Sequence, residues 1–182
     1  MGPDQSIGWV LFMYKELNMK PALYVIDVQK EFFKIDAQTA QSLKSAIEYI
    51  NAAITLFRAN NLPIFCIQHI NEEDKLIPGV EGFELPEGLH ILPSDGHIHK
   101  TYGNAFNKTE FQNKLKELDV DTVIISGYCA EFCVLSTYRG AKDLDLTPMF
   151  LRGSLASGNP ENIKFVESIS DIISYGALKK VM

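Results

Sequence analysis

The chain has 182 residues, 46% apolar and 22% charged, which fits one globular domain with a sizeable core and leaves no room for two ordinary ones. A formal net charge of −6 argues against nucleic acid or an anionic membrane surface as partner. Three cysteines, an odd number without framework spacing, exclude a disulfide scaffold and point to a reducing, cytoplasmic setting.

Residues 1–18 read as an N-terminal extension to a single domain spanning 19–182, with Met19 an alternative start. The apolar stretch Ile7 to Tyr14 is far shorter than the roughly 20 residues that span a bilayer. No basic stretch precedes it and no small-residue cleavage site follows, so it is expected to pack on the domain or on a partner subunit.

From Pro21, the run Ala22 to Val28 is apolar and short enough for a buried strand. Asp27 at its far end either caps the next turn or does chemistry. Leu43, Ile47, Ile50, Ile54 and Phe57 recur at spacings of four and three, giving a helix with one apolar stripe. Asp36 or Thr39 caps its start, and Asn60-Asn61 with Pro63 ends it. Leu62 to Ile70 is a second buried strand, holding Cys66 and closing near His69. Residues 71–99 lack periodicity and are punctuated by Pro and Gly, which implies a long loop of the kind that forms lids or pocket walls. Lys100 precedes the turn Gly103-Asn104, where a lysine is ordinarily just solvated. Asn107 and Glu110 have the spacing of a capping box for a helix carrying Phe111, Leu115 and Leu118.

Val123-Ile124-Ile125 opens the next strand, which breaks at Ser126-Gly127 before Val134, Leu135 and Tyr138 take up helical spacing. Cys133 falls in the first turns of that helix. Unpaired N–H groups and the positive end of the helix dipole would favour its thiolate there, although a lone intracellular cysteine is commonly just a small buried hydrophobe. Leu146 to Leu151 is a short strand, placed near a sheet edge by Pro148. Asn159-Pro160 then starts a final helix that buries Ile163, Val166, Ile169 or Ser170, and Ile173. This alternation predicts an α/β, three-layer, doubly wound Rossmann-like fold, with helices on both faces of a mostly parallel sheet. Ligands bind such sheets at the carboxyl ends of the strands, where Asp27 and Cys133 both fall.

If Asp27, Lys100 and Cys133 meet, the carboxylate can take the thiol proton and the ammonium can hold both charged forms. The thiolate then attacks an amide carbonyl, and backbone N–H groups in the turn Cys129 to Cys133 steady the oxyanion. Three segments bear this out as a pattern: LYVIDVQKEFF (23–33), KTYGNAF (100–106) and SGYCAEFCVLST (126–137). In that order and spacing the chain resembles the isochorismatase-like cysteine hydrolases, which include nicotinamidases and carbamoyl-amide hydrolases.

The resemblance implies a triad of Asp27, Lys100 and Cys133, a cis peptide before Cys129, and an oxyanion hole from the N–H groups of Cys129 and Cys133. It also implies that Phe32 and Tyr102 line the substrate pocket, that Gln29 is structural, and that the protein is a homo-oligomer, a dimer or tetramer.

The chain departs from the family at Ala130, where Thr is frequent, and at Glu131, where Asp is commoner. A Glu131 facing the pocket would disfavour anionic substrates, whereas on the exposed helix face it would only help the N-terminus. Nicotinamidases carry a metal-binding Asp-x-His that Gln68-His69-Ile70-Asn71 lacks. His69, His97 and His99 are conceivable ligands, but no metal and no cofactor is expected, and nicotinamide is a doubtful substrate. The expected activity is hydrolysis of a C–N bond in a small amide or ureido compound through a thioester. The alternatives are vinyl-ether hydrolysis of the isochorismate type and a non-catalytic binding protein. A Cys129–Cys133 disulfide is geometrically unfavourable.

Overall fold

A computed structural model describes residues 19–182; the expectations for residues 1–18 lie outside the described residues. Strand β1 (Pro21–Ile26) is followed by a 3-10 turn (Lys30–Lys34) and helix α1 (Ala37–Ala59). Next come β2 (Ile64–His69), β3 (Gly96–Lys100), α2 (Phe111–Glu117) and β4 (Thr122–Gly127). A π-helical turn (Ala130–Val134) leads into α3 (Leu135–Asp143), and then β5 (Thr147–Leu155), α4 (Pro160–Ser168), β6 (Ile172–Ile173) and α5 (Tyr175–Val181) complete the chain. The strands form one parallel sheet in the order β3-β2-β1-β4-β5-β6. The strand order reverses beside β1, the switch point at which open α/β sheets bind ligands.

Alternation along β1 builds both sides of the core. Ala22, Tyr24 and Ile26 face a cluster with Phe111, Leu115, Val134 and Tyr138 from α2, the π-helical turn and α3. Leu23 and Val25 face Leu43, Ile50, Ile54 and Phe57 of α1. The result is three layers with helices on both faces of the sheet, as the sequence predicts. Asp36 caps α1, its carboxylate accepting from the Thr39 N–H at 2.6 Å. Asn159 likewise accepts from the Glu161 N–H at 3.1 Å.

Four sequence expectations need correction. Residues 96–100 form a strand, with Ile98 and Lys100 turned inward and His97 and His99 exposed. The charged and polar residues at alternate positions hid its period of two. The Asn107–Glu110 capping box does not form: α2 starts at Phe111 without a side-chain cap, and Leu118 is half-exposed. Pro148 sits on a strand flanked on both sides, yet β6 reaches only Phe150 and Leu151, so the proline escapes the ladder on that side. The last predicted helix divides into α4, β6 and α5; Ile169 is exposed, and Ile173 belongs to the strand.

Tyr24 is fully buried, and its hydroxyl has no hydrogen-bond partner among the described residues. Its ring packs against Phe111 at 4.7 Å. Tyr24→Phe keeps that packing and removes an unpaired polar group, so stability is expected to hold or rise by about 1 kcal/mol in urea unfolding. A loss of about 1 kcal/mol or more would show that the hydroxyl is hydrogen-bonded after all.

Candidate active site

The carboxyl ends of four adjacent strands converge on one cavity. β1 delivers Asp27, β2 delivers His69, β3 delivers Lys100, and the turn after β4 delivers Cys129 and Cys133. Asp27 lies in the left-handed region at φ 52°, and its N–H still donates to the Ile67 carbonyl at 2.8 Å. The ladder therefore holds its backbone while the chain turns away, and an aspartate tolerates that conformation better than most residues. Gly127 (φ 113°) provides the matching turn after β4, where a Cβ would stand 2.1 Å from the Ile26 carbonyl oxygen. The Tyr128–Cys129 peptide that follows is cis.

Lys100 reaches across β2, a span of roughly 9–10 Å between strands two apart, which demands a long side chain. Its ammonium donates to Asp27 Oδ2 at 2.7 Å, and both side chains are buried. It also donates to His69 Nδ1 at 3.2 Å. An ammonium cannot accept, so Nδ1 is the bare nitrogen and a neutral His69 carries its proton on Nε2. Gln29 fixes His69 from below: its amide oxygen accepts from the His69 N–H at 2.8 Å, and its amide nitrogen donates to the His69 carbonyl at 3.1 Å. Gln29 is thus a structural clasp.

Cys133 is half-buried, and donor atoms of Asp27, His69 and Cys133 lie within 4.8 Å of one another. Burial pushes the Asp27 carboxyl up, and Lys100 beside it only partly offsets this. Burial, with Asp27 next, pushes the Cys133 thiol up to about 12. Burial and Asp27 thus oppose the pull toward thiolate expected from a helix start. Cys133 sits in the π-helical turn ahead of α3, and desolvation beside a carboxylate outweighs the pull of Lys100. Burial, then Lys100, pushes His69 down, which keeps its ring neutral.

The cavity, about 290 Å³, is lined by Phe32, Tyr128, Phe132, Asn71, Asp74 and Leu76 in addition to Asp27, His69, Cys129 and Cys133. Phe32 stands where the resemblance placed it, its ring 5.0 Å from that of Tyr128. Tyr102 does not line this cavity: it is 40% exposed and takes a hydrogen bond from Lys108. Only the first residues of the long 71–99 loop reach the cavity. Its middle is tied instead to the 3-10 turn, where the Lys30 and Glu31 N–H groups donate to the Glu84 and Gly82 carbonyls.

Glu131 also turns away from the cavity, accepting from Ser157 at 3.0 Å and Asn162 at 2.6 Å. Burial works against its ionisation, but hydrogen bonds from Cys129, Asn162 and Ser157 keep its carboxyl below the usual range. Cys129 therefore packs on Glu131 and Ser157, apart from Cys133, and both cysteines are free thiols. The Cys129 N–H has no hydrogen-bond acceptor among the described residues.

Among the described residues, Asp27, His69 and Cys133 are the donors that could face a metal ion; Lys100 already contacts Asp27 Oδ2 and His69 Nδ1, and Asp27 Oδ1 has no partner. His97 contacts the Leu92 carbonyl and His99 stacks edge-on to Phe83, so neither joins His69.

Residues 21–167 match the isochorismatase domain model. The chain belongs to the isochorismatase family. Among curated relatives, this isochorismatase-family chain is 29% identical to the Bacillus subtilis family protein YddQ over 68% of its own length and 70% of the relative's. It is 24% identical to Nicotinamidase 3 of Arabidopsis thaliana, over 77% and 75%. An isochorismatase-like hydrolase from Alkaliphilus metalliredigens superposes at TM-score 0.80 with 19% identity, covering 88% of this chain and 98% of the other, a likeness of fold. The family is hydrolytic, and among the described residues no helix is long and apolar enough to cross a membrane.

Sequence reasoning passed over His69 as a pocket wall, along with Tyr128, Phe132 and Asp74. Asn71 carried a usable signal: its side chain accepts from the Glu73 N–H at 3.0 Å, the Asx-turn that an Asn ahead of three acidic residues predicts.

Proposed function

We propose that this protein is a metal-independent cysteine hydrolase that cleaves the C–N bond of a small amide or ureido compound. The observation that carries this reading is the approach of Cys133 and the buried Asp27–Lys100 pair at the closed end of one cavity.

Cys133 Sγ bonds to the carbonyl carbon as its proton passes to Asp27, and the carbonyl π electrons move onto oxygen. The N–H groups of Cys129 and Cys133 hold that oxyanion. Collapse re-forms the carbonyl and breaks the C–N bond, while Asp27 returns the proton to the departing amine. Asp27 then takes a proton from water, whose oxygen attacks the thioester. The C–S bond breaks, and the sulfur recovers the proton from Asp27. The Lys100 ammonium beside Asp27 favours its carboxylate form between steps. The resting thiol suits this sequence, because the proton starts on sulfur and has a base beside it.

The test is ammonia release from a panel of small amides and ureides, before and after exhaustive dialysis against a chelator, with intact-mass analysis of acid-quenched enzyme. Full activity after chelation and an acyl adduct on Cys133 are expected. Loss of activity that returns only on adding back a divalent metal would overturn the metal-independent mechanism.

A further inference from the structure

The charge lining the cavity restricts the substrate, and we infer that the site takes amides with a neutral or cationic substituent and rejects those bearing a carboxylate. This rests on the hydrolase reading above and adds a substrate class to it.

Among the described residues, the cavity wall contains two carboxylates, Asp27 and Asp74, and no arginine or lysine. Lys100 neutralises the first, two of its three N–H groups going to Asp27 and His69. Asp27 Oδ1 remains a buried acceptor with no partner among the described residues, so it suits the N–H of an amide and repels a second anion. His69 offers an N–H but no charge.

The charge left over is that of Asp74, and its place is set by local structure. Its carboxylate takes a hydrogen bond from the Asn71 side chain at 2.6 Å. The turn that carries it is closed by paired backbone bonds between Asn71 and Leu76, at 2.9 and 2.8 Å. Glu131, the other acid near the catalytic turn, accepts from Ser157 and Asn162 through Oε1 and lies outside the cavity wall. The rings of Phe32, Tyr128 and Phe132 line the same cavity. A cavity lined by a carboxylate and aromatic rings favours a cation, which gains from both, over an anion, which gains from neither.

Three probes of nearly one shape separate the cases: 4-(aminomethyl)benzamide, benzamide and 4-carboxybenzamide. For each, kcat/KM for ammonia release is measured, together with the concentration that halves iodoacetamide alkylation of Cys133. Wild type, Asp74→Asn and Asp74→Lys are compared. Wild type is expected to favour the cation over the anion about tenfold or more in both measures. Asp74→Asn should narrow the gap and Asp74→Lys should reverse it.

Equal protection by cation and anion, an order unchanged in Asp74→Lys, or protection by none of the three would overturn the inference. The two readings fail differently. Charge-ordered protection without ammonia release would sustain the inference and count against the hydrolase reading. Ammonia release without charge order would do the opposite.

Discussion

Cys133→Ala is expected to lower kcat for amide hydrolysis by at least about a thousandfold while leaving the fold intact, because the variant loses the cavity thiol that lies beside Asp27 and His69. Asp27→Asn should cost about as much, since the thiol, still raised by burial, then lacks a base to take its proton. The double variant should be scarcely worse than either single one, the behaviour of groups that act as a unit. Circular dichroism and urea unfolding would confirm that both variants stay folded. Turnover in Cys133→Ala within tenfold of wild type would end the nucleophile assignment and favour the vinyl-ether chemistry, for which no thiol is needed.

A pH profile sharpens the same point. The base must be ionised to accept the thiol proton, so activity falls as pH drops through the Asp27 pKa. Burial raises that pKa, which places the acid limb of kcat/KM above the ordinary carboxylate value of about 4. A limb at or below that value would assign the base elsewhere.

Lys100→Met carries the largest expected loss of stability, about 3–5 kcal/mol in urea unfolding. The Asp27 and Lys100 side chains are 2% and 0% exposed, so removing the ammonium leaves a buried carboxylate without its countercharge. At such depth the cost of desolvating one unpaired charge exceeds what any surface ion pair contributes, typically below about 1 kcal/mol. Adding Asp27→Asn should restore much of the stability without restoring activity, since it removes the stranded charge and the base together. A single-variant loss below about 1 kcal/mol, or no recovery in the double variant, would show that Asp27 escapes its burden through protonation or water.

Local pattern determined a good deal of this protein. Runs of apolar residues at Ala22–Ile26, Phe65–Ile67 and Val123–Ile125 can only be strands buried on both faces, and the stripe from Leu43 to Phe57 can only be a helix laid against them. Three short motifs in order identified Asp27, Lys100 and Cys133 as candidates. Each of those readings depends on neighbours within a few residues along the chain.

The rest depended on neighbours distant in sequence. β3 was illegible because His97 and His99 break its apolar run, and it is a strand only because β2 offers a ladder to pair with. Lys100 read as a solvated lysine because nothing local shows that Asp27, 73 residues earlier, lies within its reach. The surroundings of the Cys133 thiol were hidden for the same reason. A helix start favours thiolate, but burial and a facing carboxylate outweigh it, and both come from other strands. Tyr102 shares a motif with Lys100 yet points to the surface, where Lys108 engages it. Which wall the substrate meets was likewise a tertiary outcome: Asp74 and the three aromatic rings come from separate segments that the parallel sheet gathers at one end.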